Sequence, residues 1–249
     1  MPEQLSNQGL STAEEAEYLI RGLNAHGVFP DWIALNNGTT HGIETNDQGI
    51  QVDLTAEIHE AISPFKVSGA QHGTSGNSSE RLRAIAGKTQ TTKANVATAL
   101  QMVSWGLEVN DYGNCILTED GGFNKIPGKG VSEEMWAEMC AWAESQGIKG
   151  GNFKKLNAPF ENRLLGQARE VRERMAKGVE EFTYHLLTEV FNAADTAPLA
   201  IEAILAAGSH DPGPKVARTE SPEEWTPEKI REKASLIVSD KGPEGDWDD

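Results

Sequence analysis

The feature that most constrains the fold is a regular alternation of helix-like and strand-like segments over roughly the first 110 residues. Apolar periodicity and capping residues predict helices at about 12–25, 54–62, 79–86 and 98–107. Short apolar runs between them predict strands near 32–35, 65–69 and 93–96. Alternation at this spacing is typical of βα units that form a parallel sheet. We therefore expect an α/β fold here, although three strands covered on both faces are too few for an independent sheet of this kind.

The remainder of the chain has a different character. Glycine-rich segments at 119–130 and 147–151 alternate with predicted helices at 132–144, 161–192 and 198–207. Basic residues in the 161–192 helix are interleaved with acids, which indicates a solvated face rather than a binding patch. We expect residues 111–240 to form a mainly helical C-terminal extension. The acidic, glycine-containing tail at 241–249 is expected to be disordered.

Charge and composition argue against several classes of partner. The 249 residues include 22 basic and 38 acidic side chains, a formal net charge of -16, which disfavours nucleic acid and anionic membranes. No apolar run approaches the roughly 20 residues of a membrane span, and the N-terminus lacks the features of a secretory signal. Two cysteines, Cys115 and Cys140, do not make a disulfide framework. We expect a cytoplasmic protein with no membrane or nucleic-acid partner.

Two glycine-rich motifs, each built around one histidine, follow the first two predicted strands. They read Gly-Thr-Thr-His-Gly at 38–42 and Gln-His-Gly-Thr-Ser-Gly at 71–76. The carboxyl ends of successive parallel strands lie at the same edge of a sheet, so His41 and His72 can bind one metal ion there. Imidazole is a good zinc ligand. A lone histidine at such a place more often caps a strand or hydrogen-bonds within a loop. The residues alone leave both interpretations open.

The second motif also has the features of an anion site. Gly73, Thr74 and Ser75 stand just ahead of a predicted helix, where exposed backbone N–H groups and small side chains let a phosphate approach. A simple glycine–serine loop is the alternative for this segment in isolation. At the end of the third predicted strand, Asn95 can hydrogen-bond a ligand oxygen, and Thr98 with neighbouring amides can hold phosphate. In isolation, Asn95 is more simply interpreted as the cap of the following helix.

Together, these strand ends resemble those of the class II, metal-dependent fructose-bisphosphate aldolases. One strand ends in Gly-x-x-His-Gly, the next in His-Gly-x-Ser-Gly, and the third reads Lys-x-Asn-Val-x-Thr. Their order and spacing are similar to those of the last three strands of that family's barrel. The resemblance covers about residues 10–107 and extends more weakly to 172–178. It implies that residues 1–110 are the C-terminal portion of a TIM (β/α)8 barrel, about strands 6–8, followed by the helical extension.

The resemblance also implies an activity and a set of site residues. It implies zinc-dependent, reversible cleavage of fructose 1,6-bisphosphate to dihydroxyacetone phosphate and glyceraldehyde 3-phosphate, in which zinc polarises the ketone as a Lewis acid. His41 and His72 would be two of three zinc-binding histidines. Asn95 would orient the substrate. The remaining residues, which would contact substrate or its phosphate, are Gly42, Gly73, Thr74, Ser75 and Thr98.

The sequence departs from the family where proton transfer is expected. It has no Asp-His pair, which in the family supplies the acid and the first zinc ligand, and Ala97 and Ala99 stand where the family usually has aspartates. The other histidines are expected to be structural or at the surface: His26, His59, His185 and His210. The resemblance therefore implies a truncated enzyme, completed by a missing N-terminal half or by homo-oligomerisation, that acts on sugar bisphosphates and triose phosphates. Another ketose bisphosphate, an inactive remnant that binds a phosphorylated metabolite, and a helical interaction protein stay open as alternatives.

Overall fold

A computed structural model describes residues 9–38, 49–75, 77–110, 113–119, 122–209 and 220–237. The helices in these ranges are α1 Ala13–Ala25, α2 Val52–Ile62, α3 Ser79–Lys88, α4 Thr98–Trp105, α5 Glu133–Ser145, α6 Asn157–Leu165, α7 Arg169–His185, α8 Ala197–Ala207 and α9 Pro227–Leu236. The strands are β1 Trp32–Ile33, β2 Ser68–Gln71 and β3 Thr91–Ala94. Shorter helical turns cover Ser63–Phe65, Gly150–Leu156, Leu186–Val190 and Pro222–Glu224. The predicted disordered tail at 241–249 lies outside the described residues.

The three strands form one parallel sheet in the order β1-β2-β3. Trp32 pairs with Ser68, and Gly69 pairs with Thr91, with an irregularity in register between Gly69 and Ala70. Each strand is followed along the chain by a helix, so the predicted α/β alternation is confirmed in the described part of the molecule. That these strands are the last three of an eight-stranded barrel stays a prediction.

Several predicted element boundaries were wrong: the strand expected at 93–96 is Thr91–Ala94, and two other differences have a local reason. The strand expected at 65–69 begins later, at Ser68, because a 3-10 turn over Ser63–Phe65 precedes it. Lys66 then adopts a φ of 55°, a left-handed conformation that a strand does not accommodate. The single helix expected at 161–192 is divided at Gly166, a poor helix former, into α6 and α7.

Three clusters of buried side chains hold these elements together. The first joins α1, β1 and α2, the second joins α3 to the turn at Leu186–Val190, and the third joins α4 to α5 and α6. The buried members of the third cluster are Met102, Trp105, Leu107, Cys115, Val131, Met135, Trp136, Met139, Ala143, Leu156 and Phe160. Because α4 follows the last strand and α5 belongs to the helical part, tight packing continues across residue 110.

Helix α8 lies on the outside of the molecule and is unusually apolar. The exposed fraction of its large apolar side chains ranges from 58% to 76%: Leu199, Ile201, Ile204 and Leu205. Within the described ranges, no helix has both the length and the apolar character needed to cross a membrane.

Candidate functional site

The loops that follow β2 and β3 open onto a cleft of about 420 Å³. This volume lies within the roughly 300–1,000 Å³ typical of small-molecule sites. The residues that line it are His72, Gly73, Thr74, Ser75, Asn95, Ala97, Thr98, Gln101, Lys154 and Lys155. The structure therefore brings the site residues predicted after the second and third strands into one cavity, although their roles stay predictions.

The site residues predicted after the first strand, His41 and Gly42, lie outside the described residues. The strand that precedes them is nevertheless described, and β1 runs parallel to β2. Asn37, at the exit of β1, meets Gln71, the last residue of β2. The Asn37 amide donates to Gln71 Oε1 at 2.7 Å, and the Gln71 amide donates to Asn37 Oδ1 at 3.2 Å. The exits of the two strands are thus tied together by a reciprocal amide pair.

The same amide pair supports the histidine loop. Gln71 Nε2 donates to the backbone oxygen of His72 at 2.6 Å, and Asn37 Nδ2 donates to Thr55 Oγ1 on α2 at 3.0 Å. Asn37, Thr55 and Gln71 are all buried. Because buried amides are costly unless paired, this network holds the start of the loop in one conformation.

The glycine–serine loop after His72 is also fixed by buried polar contacts. Asn77, fully buried, donates from Nδ2 to the Gly73 oxygen at 2.8 Å, and Gly73 has a φ of 62° that favours glycine. Ser75 Oγ accepts the Ala99 N–H at 3.3 Å, so its own hydrogen can point towards an anion in the cleft. Ser78 caps α3 as its side chain accepts from Arg81 N. The loop is therefore arranged before any ligand arrives.

The start of α4 forms the next part of the cleft. Its N-cap is Ala97, and no side chain hydrogen-bonds the cap. The interpretation of Asn95 as the cap of this helix was therefore wrong, because the helix begins two positions further along. Within the described residues, Ser75 accepts the first-turn N–H of Ala99, and amides at the start of a helix favour a negative charge.

Asn95 instead faces His72. Its Nδ2 lies 3.3 Å from Nε2 and 3.4 Å from Nδ1 of the imidazole. Lys93 Nζ donates to Asn95 Oδ1 at 2.7 Å, and because an ammonium can only donate, this contact sets which end of the amide faces the ring. The amide N–H group of Asn95 is thus directed towards the imidazole and the cleft.

Lys154 and Lys155 were missed by the sequence analysis. They lie on the 3-10 turn Gly150–Leu156, between the glycine-rich segment at 147–151 and the helix predicted from residue 161, where no element was predicted. The described residues that line the cleft include two lysines and one histidine. None of these lining residues carries a carboxylate. In a chain with a formal net charge of -16, the described lining of the cleft is thus locally basic. A signal was present in the sequence, since Phe153 and Leu156 flank the lysine pair at the spacing of one 3-10 turn.

The described residues do not complete a metal site by themselves. Among them there is no group of three histidine, cysteine, aspartate or glutamate side chains that could hold an ion. His72 is the only described imidazole that lines the cleft. His59 of α2 packs elsewhere: its Nδ1 accepts the Gln90 N–H at 3.1 Å, and burial lowers its pKa. That arrangement suits a neutral structural histidine, as expected.

Comparison with known proteins gives one match. Residues 3–183 match the model of the family described as fructose-bisphosphate aldolase class-II. No curated protein and no solved structure matches the chain. The matched segment contains the whole sheet, every residue of the cleft and the helices through most of α7. The chain belongs to the class II fructose-bisphosphate aldolase family.

Proposed function

We propose that this protein is a zinc-dependent aldolase that reversibly cleaves fructose 1,6-bisphosphate into dihydroxyacetone phosphate and glyceraldehyde 3-phosphate. The observation that carries the proposal is the carboxylate-free cleft in which His72, the 73–75 loop and Asn95 come together. Family membership supports an aldolase-type lyase activity in carbohydrate metabolism. We place such an enzyme in the cytoplasm. Its ligands would be sugar bisphosphates and triose phosphates.

The loop and α4 together suit one phosphate of the substrate. Gly73 lets the backbone approach an anion closely, and the Ser75 hydroxyl can donate while its oxygen accepts from Ala99. Thr98 and the adjoining amides add donors at the start of α4. In this arrangement the phosphate of the dihydroxyacetone phosphate portion is bound by hydrogen bonds rather than by the overall field, which is repulsive.

His72 and Asn95 suit the reacting end of that portion. A zinc ion held by His41, His72 and a third ligand would act as a Lewis acid on the substrate ketone. Asn95, oriented by Lys93, donates its amide hydrogen to a substrate oxygen beside the imidazole. The proton-transfer carboxylate and the third zinc ligand would then be supplied by residues outside the described lining of the cleft. These residues would belong to a second copy of the chain or to an N-terminal half.

The absence of a carboxylate from the described lining also favours a second candidate. An inactive remnant would bind the same phosphorylated sugars through the 73–75 loop and the lysines without turning them over. This alternative predicts binding that does not depend on zinc.

The test is a measurement of zinc content and fructose-bisphosphate cleavage on the purified chain and on its His72→Ala variant. We expect His72→Ala to lose zinc and turnover with an unchanged circular dichroism spectrum, because the side chain lines the cleft and supports no buried cluster. His185→Ala is the matched control, since His185 is the last residue of α7 and is not among the residues that line the cleft. Full turnover by His72→Ala would rule out the metal assignment. Sugar-phosphate binding with neither zinc nor turnover in the unaltered chain would favour the inactive remnant.

A further inference from the structure

We propose that His59 is an acid-sensitive switch: its neutral ring joins α2 to the start of β3, and uptake of a proton releases that junction and loosens the loop after β2. The switch lies outside the proposed function. His59 is not among the residues that line the cleft, and its chemistry needs neither zinc nor a sugar phosphate. The consequence is a cleft that is ordered at neutral pH and loosened in acid.

The hydrogen bonding of His59 defines its neutral form. Nδ1 accepts the backbone N–H of Gln90 at 3.1 Å, so this nitrogen carries no hydrogen and the neutral ring carries its hydrogen on Nε2. Nε2 is buried and has no hydrogen-bond partner within the described ranges. The residue is 1% exposed, and burial lowers the pKa of its imidazole. His59 is therefore a neutral ring that is hydrogen-bonded to the backbone through Nδ1.

That hydrogen bond lies where β2 and β3 begin to pair. The backbone oxygen of Gln90, just before β3, accepts the Gly69 N–H at 2.9 Å, while the Gln90 N–H is the one that His59 accepts. The register of the two strands shifts between Gly69 and Ala70, directly beside this point. A proton on Nδ1 would place two N–H donors against each other and break the contact. The start of β3 would then lose this link to α2.

The space around the ring offers no compensation for a positive charge. His59 borders a small chamber between α2 and the sheet that is too small to hold a water molecule. The other residues around this chamber are Ile33, Leu35, Asn37, Thr55, Gly69, Ala70, Gln71 and Thr91. An imidazolium there would give up its hydration without gaining a partner, which is costly. The ring can therefore take up a proton only when α2 moves away from the sheet.

Among the described residues, no charged group borders the chamber that the imidazole faces. On α2 itself, Asp53, Glu57 and Glu60 are exposed and lie on other faces of the helix. The titratable residues of the neighbouring elements are likewise absent from the chamber: Glu14, Glu15, Glu17, Tyr18 and Arg21 of α1, Asp31 before β1, Lys66 before β2, Glu80, Arg81, Arg83 and Lys88 of α3, and Lys93 of β3. The pH response of the chamber is therefore that of the imidazole.

The same chamber contains the supports of the histidine loop. Gln71, at the end of β2, borders the chamber and donates from Nε2 to the His72 backbone oxygen at 2.6 Å. Gly69, two residues earlier on that strand, lies so close to the ring that a Cβ atom has no room. Thr55 is on the same helix as His59 and accepts from Asn37, the partner of Gln71. Movement of α2 away from the sheet therefore releases both the strand and the amide pair that hold the loop.

The direction of the pH effect follows from the lowered pKa. In the opened chain the imidazole takes up a proton near its ordinary pKa of 6.5, whereas the closed structure keeps the ring neutral to a lower pH. Below pH 6.5 the open state therefore binds more protons than the closed state. The opening equilibrium rises by up to about tenfold for each pH unit, until the pH reaches the lowered pKa. Well above pH 6.5 the switch adds no pH dependence.

The experiment measures hydrogen exchange of the backbone amides at 68–75 by mass spectrometry, from about pH 7.5 to about pH 5, corrected for the intrinsic exchange rate. We expect protection in the parent chain to fall by up to roughly tenfold per pH unit in the lower part of this range. His59→Asn should remove this pH dependence, because its side-chain oxygen can still accept the Gln90 N–H but does not titrate. His185→Asn is the matched control, since His185 does not border the chamber, and it should keep the parent's pH dependence.

Histidine-selective NMR of the parent chain gives a second measurement that needs no variant. We expect the His59 ring to carry its hydrogen on Nε2 and to titrate below pH 6.5. Titration at or above that value, protection in the parent that does not change with pH, or equal pH dependence in His59→Asn and the parent would overturn the switch. Should His59→Asn fail to fold, the titration of the parent decides. Neither measurement uses zinc, a sugar phosphate or turnover, so the result does not depend on the aldolase proposal.

Discussion

At the scale of single residues, Gly69 shows how closely α2 approaches the sheet. A Cβ atom at this position would lie 2.3 Å from Cε1 and 2.5 Å from Nε2 of His59. His59 cannot easily withdraw, because it is 1% exposed and its Nδ1 accepts the Gln90 N–H. Glycine is therefore required here for space rather than for an unusual backbone conformation.

This contact predicts a contrast between two glycine-to-alanine substitutions. Gly69→Ala should lower the free energy of unfolding by about 1–3 kcal/mol, because the added methyl overpacks a buried contact. Gly87→Ala, in α3 with nothing within 4 Å of its added Cβ, should raise it by up to about 1 kcal/mol. Urea denaturation of both variants and the parent measures the difference. Equal stabilities for Gly69→Ala and the parent would mean that His59 does not pack as described.

The sequence could predict the histidine motifs but not this contact. His72 stands in a motif whose residues are adjacent along the chain, so its place after a strand followed from the order of the residues. His59 and Gly69 lie on different elements, and their separation depends on how α2 packs against β2. The local pattern of α2 does not distinguish a buried histidine from one at the surface.

At the scale of elements, the Asn37–Gln71 pair couples the exits of two strands. Both side chains are buried, at 1% and 4% exposure, and each donates to the other. Burying two amides that hydrogen-bond each other lowers the free energy of unfolding little. Removing one of them leaves the other with buried, unsatisfied polar groups, which is destabilising. The pair should therefore behave as a coupled unit.

A double-mutant cycle tests that coupling. We expect Asn37→Leu and Gln71→Leu each to destabilise the protein by about 1–3 kcal/mol, and the double variant to cost clearly less than the sum. Asn36→Leu, at the neighbouring exposed position, is the control and should cost less than either single change. Strict additivity in denaturant unfolding would show that the two amides act independently.

Element order was predictable from the sequence, whereas several boundaries and one site segment were not. The alternation of helix and strand came from local periodicity, and it is confirmed. The start of β2 was misplaced because the turn at Ser63–Phe65 and the conformation of Lys66 follow from local backbone geometry that apolar content does not report. Lys154 and Lys155 reach the cleft only because Phe153 and Leu156 pack into a cluster built from distant parts of the chain.

At the scale of the whole molecule, the sheet part and the helical part share a buried cluster. Met102 and Trp105 of α4 are fully buried among residues contributed by α5 and α6. The Trp105 ring centroid lies 6.2 Å from that of Trp136. The division into a barrel portion at 1–110 and an extension at 111–240 stays a prediction from the sequence. The contacts of the shared cluster indicate that the two parts unfold together.

A chain ending at residue 110 should therefore fail to fold cooperatively. It would expose Met102, Trp105 and Leu107, whose burial in the intact chain contributes about 1.5–3 kcal/mol for each large apolar side chain. We expect a red-shifted tryptophan emission and a broad thermal transition by circular dichroism, against a single sharp transition for the intact chain.

A chain ending at residue 209 is the control for that truncation, since it keeps the shared cluster complete and should retain the blue-shifted emission of Trp105. A sharp transition in the 110-residue fragment would instead show that the sheet part is an autonomous domain.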